Sequence, residues 1–269
     1  MLLSMPTPTR RPDEGWQELL TRADSKRDAG HVEQALQLSD RAAMQGEDAR
    51  HRAALFRGDT LLQMGDAGAA LSSYESVADP TTADPELDGA RGIALFEMVR
   101  LPEAELALRS ALRGRPDLAE AYYVLGLIAE MTGSGEDTAL FRAARRLAPE
   151  RFPLAPSMAR TTFQEIVAEA LDGLPATLQK AIRRVPLRVD DMPHPEELRR
   201  SQPPVPPSAL GMLLQNAETG PSTTIVLFKR NLERAFPERS RLVEEIRRTV
   251  LFEVSRALGL RPMGVVGQA

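Results

Sequence analysis

Residues 245–260 read EIRRTVLFEVSRALGL, and this stretch decides how the second half of the chain is interpreted. Gly259 follows the apolar positions where a helix C-terminus favours glycine. The pattern predicts one long amphipathic helix over about 239–258, and Glu253 is the only carboxylate in its second half. The apolar positions of one face recur every four residues: Val250, Val254 and Leu258.

A glutamate inside such a helix suggests metal-dependent hydrolysis when it belongs to the motif H-E-x-x-H. Two histidines one turn apart then bind Zn²⁺, and the glutamate acts as the general base. Here the window reads Phe252-Glu253-Val254-Ser255-Arg256, so the glutamate is present and neither position beside it holds histidine. A phenyl ring has no lone pair and a guanidinium group stays protonated, so neither replacement can coordinate zinc. The sequence predicts Glu253 as a vestigial catalytic residue.

The first half of the chain repeats. Four segments begin near Trp16, His51, Pro85 and Ala119, at spacings of 35, 34 and 34 residues. Each segment places two small residues twelve positions apart, which lets the second helix of a hairpin approach the first. The small residues are Ala23 and Ala35, Gly58 and Ala70, Gly92 and Ala104, and Gly126 and Thr138.

Residues 14–150 resemble tetratricopeptide repeat (TPR) proteins, whose 34-residue units carry a W-x₂-L-G-x₂-Y…A-x₃-F…P pattern. The fragments of that pattern in this chain are Trp16, Gly58, Ala70, Tyr74, Gly92, Ala104, Ala111, Pro116, Tyr122, Gly126, Phe141, Ala144 and Pro149. The resemblance implies a helical solenoid of about four helix hairpins whose concave face binds a peptide or a partner's surface. An unrelated helical bundle with chance spacing is the alternative.

The predicted binding groove is acidic and apolar. A basic partner complements it, and the chain's own second half is one candidate. Residues 1–150 hold 17 Lys and Arg against 25 Asp and Glu, whereas residues 151–269 hold 17 against 13. The charges are therefore −8 and +4, an asymmetry that can steer the two halves together or orient each towards a different partner. Ordinary solvated faces are the alternative. The groove residues are Asp24, Asp59, Leu62, Ile93, Phe96, Glu97, Tyr123, Leu127 and Glu130.

The second half reads as a small α+β domain. Residues 1–13 are expected to form a flexible leader, and the proline-containing residues 151–161 are a predicted linker to a domain over 162–269. The predicted elements are a helix over 162–174 capped by Thr162 and Glu165, a short helix over 176–184, a strand over 185–191, a proline-rich loop over 202–207, a strand over 223–228 and the helix over 239–258.

The order of these elements resembles the bacterial minimal zincins, a family of zinc metallopeptidases, over about residues 162–262. Five segments match in sequence order: Ala170-Leu171-Asp172-Gly173-Leu174-Pro175, Arg188-Val189-Asp190-Asp191, Leu210-Gly211, Ile225-Val226-Leu227-Phe228-Lys229-Arg230, and Arg248-Thr249-Val250-Leu251-Phe252-Glu253 running to Gly259-Leu260. The resemblance implies a zincin-like fold and a metal site on the last helix.

The departures from this family all fall on its metal ligands. The first and second ligand positions hold Phe252 and Arg256, and the third falls on Pro262. The family's activity therefore does not carry over. We hypothesise that the Arg256 cation stands in the place of the metal, neutralising Glu253 in a closed pocket with Phe252 packed inside. An ordinary exposed ion pair is an equal alternative.

Other catalytic chemistry has little support in this sequence. Asp190, Asp191 and His194 form a D-D-x-x-H cluster that could bind a metal, but a solvated turn is the simpler interpretation. The chain has no cysteine and no G-x-S-x-G motif. At pI 5.6 with 4% aromatic residues, nucleic-acid binding is not expected. The first residues lack the order of an export signal and no apolar run spans a membrane, which predicts a cytoplasmic protein.

The function predicted from the sequence is a protein–protein interaction scaffold or adaptor. The repeat groove binds a peptide or partner surface, and the metallopeptidase-like domain is a binding or regulatory module without metal, cofactor or catalysis. One alternative is an active metallopeptidase with a non-standard metal site. A second is a C-terminal domain that only caps the solenoid.

Overall fold

The computed structural model describes residues 14–79, 81–153, 157–174, 179–180, 182, 185–216 and 222–258. These residues form a mostly helical structure with a three-stranded sheet in the C-terminal region. The predicted fold class is confirmed: a helical N-terminal region precedes a small α+β region. No helix among the described residues is long and apolar enough to cross a membrane.

Eight helices fill the first half of the described chain. Consecutive helices pack as pairs, with α1 on α2, α3 on α4, and α7 on α8. The first helices of the second and third pairs start four residues before His51 and at Pro85. The helices are α1 (Trp16–Asp28), α2 (Val32–Ala43), α3 (Glu47–Gln63), α4 (Ala67–Glu75), α5 (Pro85–Glu97), α6 (Leu101–Gly114), α7 (Ala119–Thr132) and α8 (Asp137–Leu147).

Two glycines of the repeat stand where paired helices come close together. A Cβ atom added at Gly58 would lie 2.1 Å from the Tyr74 ring, and one at Gly126 would lie 2.7 Å from the Phe141 ring. Real Cβ atoms do not approach other atoms so closely, so glycine is required for the two helices to pack. The close approach of paired helices inferred from these two glycines is therefore present in the structure.

Seven further elements of the described residues form the C-terminal α+β region. The sheet has the strand order β1-β3-β2, with β1 parallel and β2 antiparallel to β3. The predicted strands over 185–191 and 223–228 are confirmed as β1 and β3. The elements are α9 (Arg160–Asp172), β1 (Leu187–Asp190), α10 (Pro195–Arg200), β2 (Gly211–Asn216), β3 (Ser222–Phe228), α11 (Lys229–Ala235) and α12 (Arg239–Ala257).

One local prediction differs from the structure, and two elements were not predicted. The α9 helix begins two residues before Thr162, so Thr162 lies in its first turn and does not cap it; Ala159 is the N-cap. Strand β2 and helix α10 were not predicted, because GMLLQN has no β-branched residue and PEELRR is only six residues long. The predicted helix over 176–184 and the leader over 1–13 lie mostly or wholly outside the described residues.

Contacts divide the chain into two compact units. The first holds residues up to 95 together with 106–116, and the second holds residues 96–105 together with residues from 117 onwards. The helices α7 and α8 are thus grouped with the α+β elements. The predicted domain boundary near residue 150 separates two sequence patterns and stays a prediction.

Within the second unit, side chains cover the sheet on both faces. On one face Leu213, Ile225 and Leu227 join the core beneath α9 and α12. On the other face Met212, Val226 and Phe228 form a cluster with Val99, from the turn after α5. Val99 is buried and has φ 60°, a left-handed conformation that a β-branched residue adopts only at a cost. Burial against the sheet offsets that strain.

Candidate functional site

Helix α12 is held by the apolar face predicted from its sequence. Val250 and Val254 are fully buried, and α12 packs against α9, α11 and both β2 and β3. Leu258, which was predicted on the same face, is the C-cap residue and is 46% exposed, so the buried face ends one turn earlier. This packing fixes the orientation of Glu253, because Val250 and Val254, on the same helix, are buried.

Glu253 is a buried carboxylate with one described cationic partner. Its residue is 4% exposed, and its Oε2 atom accepts a hydrogen bond from Arg256 Nη1 at 2.9 Å. Burial raises the pKa of Glu253 above the usual carboxyl value, while the charge of Arg256 and its hydrogen bond oppose that rise. Desolvation is the larger effect. The predicted pairing of these two side chains is present.

The expected packing of Phe252 inside a closed pocket is wrong. Phe252 is 39% exposed, and the Arg256 guanidinium lies 5.9 Å from its ring centroid. Phe252 therefore lies beside Arg256 at the surface and is not packed inside a pocket, because consecutive turns place residues 252 and 256 on the outer face of α12. Pro262, at the third predicted ligand position, lies outside the described residues.

The residues on α12 do not fit a zinc ion. Phe252 offers no donor atom, and Arg256 directs a permanent cation at the only carboxylate of the motif. In the part of the chain that the structure describes, no three His, Cys, Asp or Glu side chains come close enough to hold a metal. The D-D-x-x-H cluster does not form one either. Asp190 pairs with Arg188 at 2.7 Å, and Asp191 and His194 are exposed.

Four of the predicted groove residues lie in the first compact unit. Asp24 is exposed and pairs with Arg27 on its own helix. Asp59 is exposed and accepts a hydrogen bond from the Tyr74 hydroxyl at 2.7 Å. Leu62 and Ile93 are half-buried. The structure therefore leaves polar and apolar atoms of this set accessible to a partner.

The other five groove residues lie in the second unit. Several of them are buried or form hydrogen bonds and ion pairs with other residues of that unit. Phe96 and Leu127 are buried. Glu97 accepts a hydrogen bond from Ser208 at 2.7 Å, and burial raises the pKa of its carboxyl group despite that bond. Glu130 pairs with Arg230 and Arg234 of α11, and burial raises the pKa of Tyr123.

Helix α11 carries a buried ionic cluster that sequence reasoning missed. Lys229 and Glu233 lie one turn apart with side chains 3% and 1% exposed, and Lys229 Nζ is 2.8 Å from Glu233 Oε1. Lys229 also donates to the Ser157 hydroxyl at 3.1 Å, and the Met158 N–H donates to Glu233 at 3.0 Å. The i, i+4 spacing of Lys and Glu directly after an apolar strand was the signal that could have indicated this pair.

Arginine residues extend this cluster to α7 and α8. Arg230 Nε is 3.1 Å from Glu130 Oε1, and Arg234 pairs with the other oxygen of the same carboxylate. The Arg234 guanidinium also lies 5.0 Å above the Phe141 ring. Two arginines sharing one carboxylate fix α11 against the fourth helix pair within the second unit.

An open cleft of about 740 Å³ lies beyond the carboxyl ends of the parallel strands β1 and β3. Its lining includes Asp191, His194, Ser157 and Arg160, and three methionines. The residues Lys229 and Arg230 at its wall are already paired with carboxylates. The cleft lining does not include Glu253, so the vestigial site and the cleft are separate features.

Comparison with known proteins supports the C-terminal part of the sequence interpretation. Residues 182–265 match the model of the zincin-like metallopeptidase family, which is about a third of the chain. A search of curated proteins returns no match. The C-terminal region is therefore similar to zincin-like metallopeptidases, and the tetratricopeptide resemblance of the first half stays a prediction.

Proposed function

We propose that this protein is a protein–protein interaction scaffold or adaptor that does not cleave its partner. The repeat helices bind a peptide or partner surface, and the zincin-like region is a binding or regulatory module. The pairing of Glu253 with Arg256 carries the proposal. A general base needs a free carboxylate near a metal-bound water, whereas this carboxylate is held by an arginine at a former ligand position.

The accessible acidic residues of the groove favour a basic partner. Glu130, a predicted groove residue, is already paired with Arg230 and Arg234 of α11 and is not among them. The half of the groove that remains accessible contains Asp24 and Asp59 and the apolar atoms of Leu62 and Ile93. A basic amphipathic segment complements that combination of carboxylates and apolar surface.

The proposal also includes a cytoplasmic location and the absence of a bound cofactor. The active-metallopeptidase alternative gains no support from the residues on α12. In the second alternative the C-terminal region only caps the repeats, and contacts such as that of Glu130 with Arg234 would serve either role.

Binding of a lysine-rich amphipathic helical peptide to the full chain tests the proposal. Fluorescence anisotropy of the labelled peptide should rise on addition of the protein, and mass spectrometry should recover the peptide intact. Asp24→Lys should weaken binding about fivefold, because it reverses a groove charge. The matched variant Glu33→Lys makes the same charge change on α2, outside the predicted groove, and should bind normally.

Two results would count against this function. Cleavage of the peptide would argue for the metallopeptidase alternative. Equal weakening by Asp24→Lys and Glu33→Lys would mean that binding follows net charge and not the groove.

A further inference from the structure

The outer face of α12 forms a basic and aromatic stripe that the proposed groove function does not use. Arg241, Arg248, Phe252 and Arg256 follow one another at spacings of seven, four and four residues, which places them on one helix face. All four are exposed. From Arg241 to Arg256 the stripe is about 22 Å long, at the 1.5 Å rise per residue of an α-helix.

The carboxylates of this face lie beneath the arginines. Arg248 pairs with Glu245 at 3.3 Å, and the two side chains are 46% and 15% exposed. In the second pair the Arg256 side chain is 39% exposed and the Glu253 side chain 5%. The ion pairs thus turn their positive member outwards. Arg241 has no ion pair with any described residue, so it adds an uncompensated charge to the stripe.

Phe252 gives the stripe an apolar centre. Its ring is 39% exposed between Arg248 and Arg256, and the Arg256 guanidinium lies beside it. Exposed aromatic and arginine side chains are the residue types that most often dominate the energy of protein interfaces. A metal ligand at this position would face inwards towards an ion, whereas the aromatic ring faces outwards.

We propose that this stripe, Arg241, Arg248, Phe252 and Arg256, is a docking surface for an acidic amphipathic segment of a partner protein. The segment's carboxylates pair with the three arginines, and an apolar side chain covers Phe252. Charge complementarity selects this partner. A nucleic acid fits less well, because the stripe offers a single aromatic ring for base stacking and the whole chain carries −4.

The test uses the full chain and a fluorescein-labelled helical peptide built from glutamate and leucine, with anisotropy as the readout. The peptide should bind, and added salt should weaken it because the contacts are ionic. Arg241→Glu should weaken binding about tenfold and Phe252→Ala about fivefold. Arg199→Glu on α10 makes the same charge change away from the stripe and should leave binding unchanged.

Arg241→Glu is chosen because Arg241 holds no described ion pair, so its loss should not unfold the helix; circular dichroism checks this. Absence of peptide binding, or equal weakening by Arg241→Glu and Arg199→Glu, would overturn the proposal. Tighter binding of a single-stranded DNA oligonucleotide than of the peptide would replace it with a nucleic-acid surface. The groove proposal is tested with a basic peptide and other variants, so the two can fail separately.

Discussion

Two carboxylate–cation pairs on neighbouring helices of the second unit have opposite surroundings. Lys229 and Glu233 on α11 are both within 3% of complete burial, and further hydrogen bonds from Lys229 to Ser157 and from Met158 to Glu233 satisfy them. Glu253 on α12 is buried with Arg256 as its described partner, and Arg256 is 39% exposed.

The difference lies in how well each buried carboxylate is compensated. A buried charge is tolerated when several donors or acceptors meet it, and Glu233 has them. Glu253 is also buried, but among the described residues it pairs with one cation, Arg256, whose side chain is 39% exposed, and burial raises the pKa of its carboxyl group. The first pair should therefore stabilise the fold, and the burial of Glu253 should cost stability.

The largest effect should follow from breaking the buried pair. Lys229→Met leaves Glu233 buried beside fewer donors, so the free energy of unfolding should fall by about 3–5 kcal/mol in urea denaturation. Lys180→Met removes an exposed lysine and should change it by less than about 0.5 kcal/mol. A loss of less than about 1 kcal/mol for Lys229→Met would show that the pair does not hold α11 in place.

The interaction between α11 and α7 should contribute less to stability than the buried pair does. A double-mutant cycle of Glu130→Gln and Arg234→Ala should give an interaction free energy of about 1–2 kcal/mol, because both side chains are mostly buried and hydrogen-bonded. The unfolding free energies of the two single variants and the double variant supply the measurement. Simple additivity of the two single changes would mean that Arg230 alone holds Glu130.

Glu97 is a third carboxylate, and its hydrogen-bond donor is the neutral hydroxyl group of Ser208 and not a cation. Ser208→Ala removes the hydroxyl that donates to Glu97 and should cost about 1 kcal/mol at pH 7. Burial already raises the pKa of Glu97, and the substitution raises it further. The cost should therefore vanish at pH values low enough to protonate Glu97 in both proteins. A cost that does not change with pH would place the effect in packing, not in the carboxylate.

The smallest expected change in the free energy of unfolding is an increase, whereas the changes above are losses. Because the pKa of Glu253 is raised in the folded state, the folded protein holds this proton more tightly than the unfolded chain does. Glu253 therefore lowers stability as pH rises above the usual carboxyl range. Glu253→Gln should raise the unfolding free energy by about 0.5–1 kcal/mol at pH 7, and the gain should disappear in acid. Destabilisation at pH 7 would instead make the ion pair net favourable.

The sequence predicted the elements that repeat or alternate over long stretches. Glycine spacing located the helix pairs because Gly58 and Gly126 pack directly against aromatic rings. Any side chain at these two positions would clash with those rings. The apolar period of α12 located its buried face because tertiary packing follows that period. Strand β2 was missed because its leucines carry no strand preference of their own, and pairing with β3 decides their conformation.

The candidate site was predicted in part. Local spacing placed Arg256 against Glu253, since residues three apart on a helix are neighbours. The exposure of Phe252 and the burial of Phe96 depend on which elements cover them, and no local pattern specifies that. The contacts of Glu130 with Arg230 and Arg234 join residues about a hundred positions apart, so only the folded chain brings them together.

The measurement that tests the central claim most directly is the zinc content of the purified full chain. The protein would be incubated with excess ZnCl₂, dialysed and examined by inductively coupled plasma mass spectrometry, alongside Glu253→Ala and Asp190→Ala. The account predicts far less than one zinc per chain, and no difference among the three proteins. One zinc per chain that is lost in Glu253→Ala or Asp190→Ala would contradict it and establish a metal site that these residues build.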